Sequence, residues 1–320
     1  MTPHDETRAA VSASLSHLSY YLPPGIITVD ELAERLNLSP EKLNLYKEIH
    51  GLRVIHTADG ETAADLVIKA GGRLLVETGI DPLDVDAVIL YHTMYLTSME
   101  PTSLVGHVQH ELGLRHAIGF SIWEQYCASI ITAIRVAQSM LRAGSARNVL
   151  LLGTDCFFGS LIREIDGITL QGEAGSAILM TGGGERNRIV ALSSYTDGSL
   201  YKGVHCSPEE YERFNLIYFL STTRIIQRTL KKAGLTLADI SVIIPHNINL
   251  SSWARILSIL KCDERKLYAD NIQRHGHVFG TDLVMNLSDA VAAGRLREGE
   301  YALLVTAGMG ANWGCAVIRH

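Results

Sequence analysis

Charge is scarce in this sequence. Asp, Glu, Lys and Arg make up only 19% of its 320 residues, and acids outnumber bases by 34 to 28. A net charge of −6 excludes binding driven by attraction to nucleic acid or to an anionic membrane surface. Long apolar runs are missing too. Although 47% of residues are hydrophobic, no stretch approaches the roughly 18 residues of a membrane span. The start, Met1-Thr2-Pro3-His4-Asp5-Glu6, turns acidic early and lacks the basic-then-apolar order of a secretion signal. The expectation is a soluble, cytoplasmic protein. Proline is rare (8 residues) and no low-complexity linker divides the chain, which points to one large unit or two closely packed halves. Cys127, Cys156, Cys206, Cys262 and Cys315 form no C-x-x-C pair. An odd, scattered set argues against a disulfide framework and a structural zinc site, so neither metal nor bound cofactor is expected.

What is present is alternation. Short β-branched runs at Asp86–Tyr91, Asn148–Leu152, Ser176–Met180, Ser241–Ile244, Tyr301–Thr306 and Cys315–Ile318 read as buried strands. Longer helical patterns intervene, among them Glu61–Gly79, Ala128–Ala143, Tyr218–Ala233 and Leu283–Ala293. The fold class is therefore α/β with parallel strands. The pattern also repeats. Gly79–His92 and Gly234–His246 each read as a helix end, a short turn with Leu and Asp, a buried strand and a histidine. Cys127 precedes Gly144 by the same interval, 17 residues, that separates His277 from Gly294. Two halves of like topology follow, residues 1–183 and 184–320, with Cys127 and His277 at equivalent helix starts. A cysteine there sits at the positive end of the helix dipole, which favours thiolate.

These residues have a family likeness. Leu18–Pro23, His50-Gly51-Leu52-Arg53, Cys127-Ala128, Gln171–Ala177, Pro245-His246-Asn247-Ile248-Asn249, Arg274-His275-Gly276-His277 and Gly308–Gly314 fall in the order of the motifs of one branch. The chain resembles the thiolase superfamily and, within it, ketosynthase III (β-ketoacyl-acyl-carrier-protein synthase III). The resemblance implies two pseudo-symmetric βαβαβ halves packed in five layers, α-β-α-β-α, and a homodimer. It also departs from that branch. His277 replaces the branch's asparagine, and Asp282 follows five residues later. The segment Gly276–Asp282 is similar to ketosynthase-III-like acyltransferases of natural-product (polyketide-type) assembly, which use a Cys–His–Asp set.

On that resemblance Cys127 is the nucleophile that carries the acyl group as a thioester. His246 takes the proton of the acceptor, Asp282 orients His246, and His277 stabilises the thioester oxygen. The backbone N–H groups of Cys127 and Met309 form the oxyanion hole. The donor is an acyl-carrier-protein or coenzyme A thioester, and the acceptor a small molecule with a hydroxyl or amine. Leu45 and Ile49 stand where coenzyme-A-using members carry Trp and Arg, which favours the carrier protein. Other readings stand beside these. Asp282 also suits a helix N-cap, His92 a structural or pocket-lining place, and the other four cysteines burial. His275 and His277 with Cys127 and His246 offer zinc ligands, but a lone H-x-H is thin evidence for a metal. Decarboxylating condensation and a non-catalytic partner role are the alternative functions, and retention of Cys127 and His246 speaks against the latter.

Overall fold

The computed structural model describes residues 12–93, 102–156 and 163–320. The acidic start Met1–Glu6 lies outside the described residues. Nine strands form one sheet: β1 (Ala13–Tyr21), β4 (Ala87–Tyr91), β5 (Ile118–Ile122), β6 (Asn148–Asp155), β9 (Ala174–Gly182), β10 (Arg188–Thr196), β11 (Ile240–Pro245), β12 (Tyr301–Gly308) and β13 (Asn312–Arg319). Two ribbons flank it, β2 (Gly25–Thr28) with β3 (Val54–Thr57), and β7 (Glu164–Ile165) with β8 (Thr169–Leu170). The helices are α1 (Val29–Leu36), α2 (Pro40–Asn44), α3 (Ala63–Thr78), α4 (Leu104–Glu111), α5 (Ser129–Ala143), α6 (Pro208–Ala233), α7 (Leu250–Leu260), α8 (Asp270–His275) and α9 (Thr281–Ala292). Among the described residues no helix is long and apolar enough to cross a membrane.

The sheet order is β11-β12-β13-β10-β1-β9-β6-β4-β5. β4 and β6 pair in parallel, then β6 with β9 and β9 with β1 antiparallel. On the other side β11 and β12 are parallel, then β12 with β13 and β13 with β10 antiparallel. One strand series is thus met twice. Leu267 even bridges Ile243 in parallel, at the place where β5 flanks β4. The two series join where Ser14 of β1 faces Arg188 of β10. Every residue of β4 is buried, as a strand covered on both faces must be, and this is why it reads as an unbroken apolar run.

Five layers result. α3 covers β1, β6 and β9, while α6 covers β10 and β13 on the far side. Between them lie α5, which touches β4, β6 and β9 as well as β10 and β13, and α9, which touches β1 and β9 as well as β11 and β12. The first turns of α5 are therefore buried on nearly every side, Ser129, Ile130, Ile131, Ala133 and Ile134 among them, while Ser139 and Arg142 further along are exposed. Both central helices are followed by left-handed glycines, Gly144 (φ +70°) and Gly294 (φ +68°). The structure extends some expected elements. α6 starts at Pro208, well before the apolar pattern at Tyr218, because Ser207 and Glu210 form a reciprocal capping box ahead of it. β5 and β10 expose several residues, so neither shows the buried run that marks the other strands.

Candidate active site

Cys127 lies in a single 3-10 turn, Tyr126–Ala128, that feeds directly into α5. Tyr126 holds a left-handed backbone (φ +52°), a conformation that costs energy for a residue with a side chain. Two contacts from β12 fix this turn. The Thr306 hydroxyl donates to the Cys127 carbonyl (3.1 Å). A Cβ on Gly308 would fall 2.6 Å from the Gln125 carbonyl oxygen and 3.1 Å from the Cys127 nitrogen. Gly308 must therefore be glycine, and the reason is the approach of the nucleophile's own backbone.

Cys127 opens into a cavity of about 570 Å³ whose walls include Tyr218, His246, His277, Phe279 and Met309. Cys127 is the sole cysteine on those walls. Burial pushes the Cys156 and Cys315 thiols up to about 12, consistent with inert core positions, whereas Cys206 and Cys262, also expected to be buried, are only half-buried. Cys127 and Met309 both line the cavity. Met309 shows that the motif's middle position accepts a side chain where Gly308 does not.

His277 Nε2 stands 3.7 Å from Cys127 Sγ, and its Nδ1 is 2.5 Å from an oxygen of Asp282. The carboxylate also accepts the backbone N–H of Asn247 (2.6 Å) and of Val278 (2.8 Å). This corrects the expected pairing of Asp282 with His246: the acid holds His277. The N-cap reading fails as well, because Asp282 lies inside α9 and makes no side-chain cap to it. The turn before the helix explains the direction. Phe279 takes φ +57°, which folds residues 277–280 back over the helix start and brings the His277 ring against the Asp282 carboxylate. Burial opposes charge on His277, but the Asp282 carboxylate and the Cys127 sulfur outweigh it and raise its pKa.

His246 follows β11, and its ring centroid is 6.2 Å from that of His277. Its carbonyl accepts the Trp253 indole N–H (2.9 Å), and its own N–H donates to the Val305 carbonyl (3.1 Å). Nδ1 lies 3.4 Å from the same carbonyl, and Nε2 lies 3.2 Å from the Tyr218 hydroxyl. Burial, aided by the charge on His277, pushes its pKa down to about 3. His246 is therefore neutral, the opposite of the raised basicity that an adjacent carboxylate would give. Asn247 braces the loop: its amide donates to the Gly276 carbonyl (3.1 Å) and its side-chain oxygen accepts from Asn286 (2.7 Å). The sequence signalled Asn247 only as part of a motif, and Thr306 and Tyr218 not at all. Among the described residues no three His, Cys, Asp or Glu side chains are arranged to hold a metal ion.

Leu45 and Ile49 lie in one π-helical turn, Leu45 half-buried and Ile49 exposed. Neither carries an aromatic face or a charge.

The strand order, the five layers and the cysteine at the start of a central helix together define a thiolase fold. Comparison with known proteins agrees. Models of the 3-oxoacyl-[acyl-carrier-protein] synthase III family match residues 123–198 and, for its C-terminal part, 230–320. The β-ketoacyl-[acyl-carrier-protein] synthase III of Aquifex aeolicus (strain VF5) is 25% identical over 307 residues, covering 94% of this chain and 97% of its own. The crystal structure of 3-oxoacyl-[acyl-carrier-protein] synthase III from that organism superposes with a TM-score of 0.83 at 22% identity, over 97% of this chain and all (100%) of the other. ChlB3, an acyltransferase, superposes with a TM-score of 0.84 at 20% identity over 96% and 97% of the two chains. The chain is a ketosynthase-III-like enzyme of the thiolase superfamily.

Proposed function

We propose that this enzyme transfers an acyl group from a carrier-protein or coenzyme A thioester, through acyl-Cys127, to the hydroxyl or amine of a small molecule in natural-product assembly. One observation carries the reading: Cys127 Sγ, the His277 ring and the Asp282 carboxylate form a continuous line, 3.7 Å and then 2.5 Å. In the first half-reaction the Cys127 sulfur attacks the thioester carbon, and the carrier's sulfur leaves with the proton of His277. The His277 ring, now neutral and oriented by Asp282, takes the proton of the acceptor as its oxygen or nitrogen attacks acyl-Cys127. The thiolate departs and the starting charges are restored. The N–H groups of Cys127 and Met309 serve the tetrahedral oxyanion in both steps. A cysteine without a bound cofactor suffices for this chemistry.

Decarboxylating condensation is the second reading, and the names of the sequence relatives favour it, since the Aquifex aeolicus protein is a β-ketoacyl-[acyl-carrier-protein] synthase III. Condensation needs two hydrogen-bond donors on a malonyl thioester oxygen. His277 with its carboxylate fits proton transfer, and a neutral His246 has a single ring N–H to donate. Mass spectrometry of the intact protein after incubation with malonyl thioesters, paired with carbon dioxide release, separates the readings. A persistent malonyl adduct on Cys127 without carbon dioxide is expected. Prompt carbon dioxide with a β-ketoacyl product sinks acyl transfer, and no adduct from any of a panel of acyl thioesters, acetyl and malonyl included, sinks both readings. The neutral pair Leu45 and Ile49 gives a further expectation. The same acyl group loads faster from a carrier protein than from coenzyme A, and equal rates in a stopped-flow comparison refute it.

A further inference from the structure

Tyr218 reaches the cavity from α6, the outer layer of the far side, and is buried beside His246. Phe219 packs edge-on against its ring (5.2 Å between centroids) and Phe214 lies tilted against it at 6.0 Å, which fixes the direction of the hydroxyl. Of the two ring partners of His246, the Tyr218 hydroxyl can donate or accept and the Val305 carbonyl can only accept, so the carbonyl sets the polarity. His246 Nδ1, 3.4 Å from it, carries the ring's proton. Nε2 then holds a lone pair, and the Tyr218 hydroxyl 3.2 Å away is the donor. The oxygen of Tyr218 has spent its one proton on Nε2. What it offers the cavity is lone pairs.

We propose that Tyr218 is a positioning residue that acts through His246, fixing a one-way hydrogen-bond chain from cavity to Tyr218 to His246 to Val305, so that the ligand seated there must bring an O–H or N–H. This rests on the acyl-transfer reading and deepens it: the group recognised is a hydroxyl or amine acceptor. The developing oxyanion of a malonyl thioester needs donors and meets only acceptors at this wall. Burial raises the pKa of the Tyr218 phenol and keeps it protonated. The charge held on His277 by Asp282 disfavours a second charge on His246, so the polarity cannot reverse by protonation at neutral pH.

Nitrogen-15 NMR of the imidazoles tests the chain directly, with His246→Asn used to assign the signal. In the unmodified protein His246 Nε2 should give the shift of an unprotonated nitrogen and Nδ1 that of a protonated one. Tyr218→Phe removes the donor to Nε2, and two results follow. The His246 signals move toward a mixture of tautomers, and carbon dioxide release from malonyl-coenzyme A rises at least 10-fold as Nε2–H becomes available. A protonated Nε2 in the unmodified protein overturns the proposal, whether or not the variant folds. So does a Tyr218→Phe variant with unchanged tautomer and unchanged carbon dioxide release. Failure of the transfer reading looks different. An unmodified protein that decarboxylates malonyl-coenzyme A while Nε2 is unprotonated overturns acyl transfer and leaves the tautomer assignment standing.

Discussion

Asp282 shows how far single residues were legible. Its importance is visible in the sequence because an acid five residues after a histidine departs from the branch's pattern. Its partner is not visible, because spacing carries no direction. His246 precedes Asp282 by 36 residues (282 − 246), and it is the turn through the left-handed Phe279, with the Asn247 and Val278 N–H groups on the carboxylate, that brings Asp282 to His277. The corrected pairing changes what the carboxylate does, since His277 serves both half-reactions. Asp282→Asn should lower overall transfer by about 100-fold or more, the usual scale of assistance by a general base. It should also leave a pH signature. With the carboxylate gone His277 loses its proton at lower pH, so the alkaline limit of Cys127 acylation moves to lower pH in a rate profile. An unshifted limit would mean that Asp282 does not support the His277 proton.

At the scale of elements, legibility followed burial. Strands covered on both faces, such as β4 and β6, announce themselves as short apolar runs. β5 at the sheet edge and β10 expose part of their length and do not. The helix start that holds Cys127 was legible from the apolar pattern of α5, but the support beneath it was not. Thr306 and Gly308 come from β12, nearly 180 residues later (306 − 127 = 179), and their role is purely spatial. Gly308→Ala would push the turn that carries Cys127, and a displacement near 1 Å at a nucleophile costs about 100-fold in rate. That loss is expected in the acylation rate measured by mass spectrometry, with the circular dichroism spectrum unchanged. Retained acylation would show that the turn can yield without harm.

For the molecule as a whole, the internal repeat was the most informative signal, because two halves of one topology imply a shared seam. The histidines set its acid tolerance. Burial lowers the pKa of His50 (to about 4), His56, His246 (to about 3) and His275. An unfolded histidine titrates near 6.5. As pH falls below that value the unfolded chain takes protons the folded one refuses, so stability present above about 6.5 is lost. His277 has the opposite sign: its contribution is complete below 6.5 and fades as pH rises through its raised value. The melting temperature should thus be at least ~5 °C lower at pH 5 than at pH 7, and a flat profile in calorimetry would refute this. The open edge of β5, where Ile118 is 66% exposed, is the natural place for a second copy to extend the sheet. Sedimentation is expected to give about 70 kDa, twice 35.0 kDa. A monomer mass at micromolar concentration contradicts it.

The distance along the chain between nucleophile and base has a consequence during synthesis. Cys127 leaves the ribosome 150 residues ahead of His277, and the strand that fixes its turn follows later still. A half-made chain therefore carries an ordinary thiol without imidazole, carboxylate or pinned turn. Nascent or truncated protein thus lacks the groups that activate Cys127 toward thioesters, and the site is complete only once His277, Asp282 and β12 have been made.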